Sequence, residues 1–192
     1  VKITERRWIV MKKPLVYISR CFGIAKCRYD GDWVIDKNIE TIKKYIDFRD
    51  FCPETGIGFP APREKIRVVR KDGVLELLQP ASGKFFTKEM VRFSTDFIRS
   101  AGSFDGFILK GKSPSCGVKN TKLYDYSTGE LISAGASGFF AATLLKLFPD
   151  VPVITEKSFE DTTETVLFLD KIFKNCGGTP QALLTELFSL KH

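Results

Sequence analysis

The chain reads as an α/β protein: a mainly parallel, Rossmann-like sheet with helices on both faces, plus a small β-hairpin excursion. Three observations predict this. Short apolar runs at residues 15–18, 46–51, 107–109 and 151–155 have the length and composition of strands. Stretches with helical caps and helical spacing separate them. Glycine and proline cluster in joints between these segments, as at residues 55–63 and 175–178.

The first strand, residues 14–19, opens into a loop through Cys21, Cys27 and Arg28-Tyr29-Asp30-Gly31. Asn38 is placed to cap a helix over residues 39–45, with Ile39, Ile42 and Ile46 on one face. The second strand leads into Cys52-Pro53-Glu54, and residues 55–63, with two glycines and two prolines, read as irregular. Residues 66–70 and 74–78 flank Lys71-Asp72-Gly73, a hairpin signal, expected as an edge excursion. A helix capped by Thr87, with Glu89 in its first turn, is predicted to stop at Gly102.

The third strand, residues 105–110, ends at Ser113-Pro114-Ser115-Cys116-Gly117. Residues 123–133 read as a loop or small hairpin around Thr128-Gly129, and residues 136–148 as a buried helix. Gly135 to Gly138 precede that helix, and their amides suit either an anion or close packing. After the last strand, Ser158 is the expected cap of a helix reaching Lys174, with Asp161 at the capping-box position. Pro180 starts a short terminal helix carrying Leu183, Leu184 and Leu187. The expected organisation is one α/β domain over residues 11–175, an N-terminal extension over 1–10 and a helical appendage over 176–192.

Composition removes whole classes of function. At 192 residues the chain fits a single domain with a real core. No apolar stretch approaches the ~18 residues of a membrane span, and the start lacks the apolar core of a secretory signal. A cytoplasmic location is expected, where disulfides are disfavoured, and five cysteines make an odd number for a disulfide framework. The one histidine is His192, so imidazole-based hydrolysis and ordinary His-ligated zinc chemistry lack their key residue. Acid–base work falls to carboxylates, hydroxyls, thiols or lysines. The net charge of +7 comes from scattered residues such as Arg63, Lys65, Arg67, Lys110, Lys112 and Lys122, with no block or stripe. That suits a basic enzyme first, and an anionic ligand or RNA second.

The cysteines carry the chemistry. Cys21, Cys52 and Cys116 each follow a predicted strand, so parallel strands would gather three thiols at one sheet end, where open α/β folds bind ligands. Soft thiolates in loops suit an iron–sulfur cluster, and three of them leave one of four irons open. The plain alternative is three buried cysteines acting as small hydrophobes. Cys27 either completes a four-ligand set or stands by in a turn, and Cys176 is a free thiol at a helix end. Glu54, two residues past Cys52, is the candidate base; an exposed loop carboxylate is the alternative. Ser113 and Ser115 can bond a substrate, a cluster sulfide or their own loop backbone. Asp30 and Asp125 read as turn residues, with substrate orientation as a secondary use.

Taken in order, Ser19-Arg20-Cys21-Phe22-Gly23, Arg28-Tyr29-Asp30-Gly31, Cys52-Pro53-Glu54, residues 112–117 and Tyr124-Asp125 resemble the DUF523 family over residues 11–156. The resemblance implies a [4Fe-4S]-dependent desulfidase that removes sulfur, without redox change, from a thiolated pyrimidine such as 2-thiouracil. It implies cluster ligation by Cys21, Cys52 and Cys116 with one iron not ligated by protein, and catalytic roles for Glu54 and Ser113 ahead of Ser115. Family members open with a small residue before the first cysteine and two leucines after it; here Arg20 and Phe22-Gly23 stand there. An iron–sulfur redox or sensing module, and a tRNA sulfur-handling protein, are the other readings the residues allow.

Overall fold

The computed structural model describes residues 12–189. The expected extension over residues 1–10 and the terminal His192 lie outside them.

Strands β1 (Leu15–Ser19), β2 (Asp47–Phe51), β6 (Gly106–Leu109) and β9 (Val153–Thr155) form a parallel sheet in the order β2-β1-β6-β9. Side chains of a strand alternate between the faces of its sheet, so each strand feeds two cores. Val16, Ile18 and Ile108 pack with α1 (Lys37–Ile42), α5 (Thr162–Asn175) and α6 (Gln181–Ser189), through Ile39, Ile42, Leu169, Ile172, Leu183 and Leu187. Tyr17, Phe107 and Leu109 pack on the other face with α3 (Thr87–Ser100) and α4 (Phe139–Leu147), through Ile98, Phe140 and Leu144. Each such fully buried side chain contributes roughly 1.5–3 kcal/mol. No helix among the described residues is long and apolar enough to cross a membrane.

The expected hairpin is present and forms part of something larger. Strands β3 (Arg67–Lys71) and β4 (Val74–Gln79) meet at Asp72 and Gly73, both with positive φ, as a tight hairpin turn requires. They belong to a second sheet with β5 (Lys84–Phe85), β7 (Thr121–Asp125) and β8 (Leu131–Ala136), in the order β5-β4-β3-β7-β8. The joint between its two hairpins is the parallel pair β3–β7, Val68 opposite Leu123. Ile66, Leu77 and Met90, with Phe86 and Phe139 beside them, seal this sheet onto the starts of α3 and α4.

Several helix starts differ from the expectation. Asp36, not Asn38, caps α1, its Oδ1 accepting the amides of Asn38 and Ile39 at 2.9 and 3.1 Å. Asp161 is itself the cap of α5, accepting from the Glu164 amide at 3.0 Å, and residues 156–160 form a separate 3₁₀ turn. Thr87 is the first helical residue of α3; its hydroxyl accepts the Leu77 amide and donates to Glu76, tying the helix to β4. A turn of helix, α2 (Pro53–Gly56), occupies the start of the stretch expected to be irregular. The buried helix begins at Phe139 because residues 131–136 extend the second sheet.

Candidate active site

The order β2-β1-β6-β9 puts the chain reversal at β1, and the loops after β1, β2 and β6 open at one sheet end. Ser19 Oγ accepts the Lys110 amide at 3.0 Å, and the Arg20 amide donates to Phe51 O at 2.7 Å, so the three strand ends are laced together. Above them lies a cavity of about 560 Å3, floored by these loops and walled on its far side by Ile66, Val68, Thr121, Tyr124 and Ala134 of the second sheet and its approaches.

Cys21, Cys27, Cys52 and Cys116 all line this cavity, so the structure brings the three expected thiols together and adds the fourth. Cys21, Cys27 and Cys116 are buried and Cys52 is half-buried. The Cys27 thiol hydrogen-bonds with both Cys21 and Cys52, and the bond to Cys21, together with burial, pushes it up to about 11. The Cys52 thiol is raised by its bond with Cys27 and by burial, and that of Cys116 chiefly by burial. Buried neutral thiols of this kind ionise when a metal takes the place of their protons. Cys176 stands apart, its thiol donating to Phe173 O at 3.2 Å.

The donor set, four thiols lining one cavity at a sheet end, is soft enough to suit an iron–sulfur cluster. Among the described residues no three His, Cys, Asp or Glu side chains converge tightly enough to hold a single metal ion. A cluster binds each thiolate to a different iron and so needs them spread around a larger body, in soft, largely apolar surroundings. Backbone room is built in as well. A Cβ on Gly117 would stand 2.1 Å from Thr121 Oγ1 and 2.8 Å from Ser113 O, so only glycine closes the turn behind Cys116.

Glu54 sits in the first turn of α2, where Pro53 at the first helical position turns the chain sharply after Cys52. Its side chain is only 12% exposed and lines the cavity. Arg63 Nε and Nη2 both donate to Oε2, at 3.0 and 2.6 Å. Ser115 Oγ donates to Oε1 at 3.1 Å. The alternative of an exposed loop carboxylate is therefore removed.

The two serines have different surroundings. Ser115 is fully buried and braces Glu54. Ser113 lines the cavity, and its Oγ accepts the amides of Ser115 and Cys116, each at 3.1 Å. With both lone pairs so occupied, the Ser113 proton has no acceptor among the described residues and is available to the cavity. Asp30 pairs with Arg28 at 2.8 Å, and Asp125 accepts the amides of Ser127 and Thr128, so both are turn residues. The amides opening α4 are spent on protein: Phe139, Phe140 and Ala141 donate to the carbonyls of Pro114 and Ser115.

Two features went unread in the sequence. Arg63 looked like one of many scattered cations, although a return loop rich in glycine and proline after Glu54 was a usable sign. Lys110 and Glu156 form an ion pair at 2.5 Å beside the cavity, 46 residues apart, with no local sign at all. The cations around the cavity also divide in two. Arg20, Arg28, Arg63 and Lys110 each have a carboxylate partner, whereas Lys65, Arg67, Lys112 and Lys122 have none among the described residues. Lys65 and Arg67 lie over the rings of Tyr29 and Tyr124, each 4.8 Å from the centroid.

Comparison with known proteins bears on the fold and the family. YbbK, an uncharacterized protein of Bacillus subtilis (strain 168), is 30% identical over 113 residues, which is 54% of this chain and 73% of YbbK. The solved structure of the [4Fe-4S]-dependent thiouracil desulfidase TudS (DUF523Vcz) superposes with a TM-score of 0.60 at 20% identity. It covers 81% of this chain and 99% of TudS, and so shows a shared fold. The model of the 2-thiouracil desulfurase family matches residues 16–156, which take in all four cavity thiols, Glu54 and both serines. On that match the chain belongs to the 2-thiouracil desulfurase family.

Proposed function

We propose that the protein is an iron–sulfur-dependent desulfidase that releases sulfide, without redox change, from a thiolated pyrimidine of the 2-thiouracil kind. The observation that carries this reading is one cavity lined by strand-end thiols and by a braced, buried carboxylate. Cys21, Cys52 and Cys116 would hold a [4Fe-4S] cluster with one iron free of protein ligands, and Cys27 would stand between Cys21 and Cys52 as a fourth, non-ligating thiol. When bound, such a cluster supplies a soft Lewis acid for a thiocarbonyl sulfur.

The protein's own groups then divide the work. Glu54 takes one proton from water as its oxygen bonds to the thiocarbonyl carbon; the C–S bond then breaks, and the proton on Glu54 and the one left on the new oxygen pass to the departing sulfur, leaving C=O and hydrogen sulfide. Sulfur enters as thione and leaves as sulfide, so its oxidation state is unchanged and no electron donor is needed. Ser113 offers its hydroxyl proton to a ring nitrogen or oxygen, fixing the base in the cavity.

A second reading shares this chemistry but takes the thiolated base within RNA. Lys65, Arg67, Lys112 and Lys122, which have no carboxylate partner among the described residues, line the cavity with Tyr29 and Tyr124 and favour an anionic, aromatic ligand. Anaerobically reconstituted protein incubated with 2-thiouracil should yield equal amounts of uracil and sulfide. No product from 2-thiouracil, other free thiopyrimidines or thiolated tRNA would refute the enzymatic reading and leave the redox module.

A further inference from the structure

We infer that Arg63 is the positioning residue of the site: it fixes Glu54 by occupying Oε2 and leaves Oε1 as the oxygen that receives the proton of the attacking water. The identity of the reaction rests on the desulfidase reading; the placement rests on geometry alone.

A carboxylate oxygen has two in-plane lone pairs. Arg63 Nε at 3.0 Å and Nη2 at 2.6 Å, adjacent donors on one guanidinium edge, both bear on Oε2, so that oxygen is held and neutralised by the cation. Oε1 accepts one bond, from Ser115 Oγ at 3.1 Å, and keeps a lone pair. The guanidinium itself has no freedom to follow the carboxylate. Its Nη1 donates to Cys27 O at 2.9 Å and to Pro60 O at 3.0 Å, both main-chain atoms, and its side chain is 4% exposed. The Arg63 amide donates to Tyr29 O at 2.8 Å, anchoring the residue at its backbone too. One planar cation therefore ties the α2 turn, the Cys27 loop and the loop ending at Arg63 into one body. Lysine cannot reproduce this, because one ammonium cannot reach Oε2 and both carbonyls in the same plane.

The test compares Arg63→Ala, Arg63→Lys, Glu54→Gln and the double variant Glu54→Gln/Arg63→Ala, all reconstituted anaerobically. Iron and sulfide content and cluster absorbance should match the parent in each. Against 2-thiouracil, Arg63→Ala and Arg63→Lys should both lose about 100-fold in kcat with KM within about threefold, the cost of a misplaced rather than absent base. In the Glu54→Gln background Arg63→Ala should cost less than about twofold more, since the base it positions is gone. Crystals of the cluster-loaded Arg63 variants should show the Glu54 carboxylate turned away from Ser115.

Near-parental kcat in Arg63→Lys would mean that charge alone suffices, and additive losses in the double variant would mean that Arg63 acts elsewhere. Either overturns the inference, as does a Glu54 side chain that stays in place. If Arg63→Ala fails to fold or to hold the cluster, Arg63→Lys decides by the same criteria; failure of both makes Arg63 a structural residue only. If the parent releases no sulfide, the desulfidase reading fails, and the crystallographic position of Glu54 decides the placement by itself.

Discussion

Gly138→Ala gives a direct reading of how the Cys116 loop is held. The added Cβ would stand 2.4 Å from Ser115 C, 2.5 Å from Ser115 O and 2.8 Å from Ser113 O. Ordinary contact begins near 3.4 Å, so helix and loop must part by about an ångström. The contacted atoms are main chain and cannot swing aside. Parting also stretches the bonds from the amides of Phe139 and Phe140 to Pro114 O and Ser115 O, now 3.0 and 2.9 Å, and that from Gly138 to Gly117 O at 2.8 Å. Overpacking of this kind costs about 1–3 kcal/mol. For a chain of this size that lowers the melting midpoint by about 2–12 °C. Gly135→Ala is the control, because nothing lies within 4 Å of its added Cβ. Differential scanning fluorimetry of the cluster-free proteins measures the stability, and iron content after reconstitution measures the site. We expect Gly138→Ala to melt lower and take up less iron, and Gly135→Ala to match the parent. A Gly138→Ala protein within about 0.5 kcal/mol of the parent, with full iron content, would refute close docking of this helix on the cysteine loop.

Further outcomes follow from the site. Glu54→Gln should retain cluster absorbance and lose about 10²–10⁴-fold in kcat, the usual share of general acid–base catalysis, and near-normal turnover would move the base elsewhere. Cys21→Ser, Cys52→Ser and Cys116→Ser should each fail to hold a full cluster, while Cys27→Ser should retain it; iron and sulfide analysis separates them, and equal loss in Cys27→Ser would close the open iron. Lys122→Glu should weaken thiolated tRNA binding and flatten its salt dependence if the RNA reading holds, as read by filter binding at several salt concentrations. Glu186 bonds Lys44 Nζ and Tyr45 OH at 2.6 and 2.7 Å, and these bonds hold its carboxyl below the usual range. A carboxyl lowered in the folded state stabilises it above the ordinary carboxylate pKa, about 4.3, and that stabilisation is lost as pH falls through the lower folded value. Hydrogen-exchange protection factors across α6, corrected for the intrinsic pH dependence of exchange, should therefore fall below about pH 4 while those of the central strands hold.

The parallel sheet was legible in the sequence because β1, β6 and β9 are short apolar runs that meet turn signals, whereas β2, with Asp47, Arg49 and Asp50 among its five residues, was marked chiefly by the Cys52-Pro53 that ends it. The thiols were legible for the same reason: a cysteine just past such a run must lie at a strand end. Both hairpins of the second sheet were visible from Lys71-Asp72-Gly73 and Thr128-Gly129. Their union was not, since it depends on Val68 meeting Leu123 across 55 residues with no local mark. At the helix starts, two polar candidates stood within a few residues of each other. Whether Asp36 or Asn38 caps α1 is decided by which oxygen reaches two amides, and composition cannot tell. Ser113 and Ser115 pose the same problem at the site: one proline separates them in sequence, yet one faces the cavity and the other braces Glu54.

The cavity is assembled from two sheets with separate duties. The parallel sheet contributes the thiols and Glu54, whereas residues 65–68 and 121–124 of the second sheet and its approaches contribute the facing wall. That division frees the two halves to change at different rates. Mutations at Lys65, Arg67, Lys122 and Tyr124 can reshape what the cavity admits while leaving the groups beneath in place, since these positions share no hydrogen bond with Glu54 or Ser113, whereas Thr121 donates to Ser113 O and belongs with the cysteine loop. For engineering, Lys65, Arg67, Lys122 and Tyr124 are therefore the positions at which a library would redirect substrate choice, with the cysteines and Glu54 held constant.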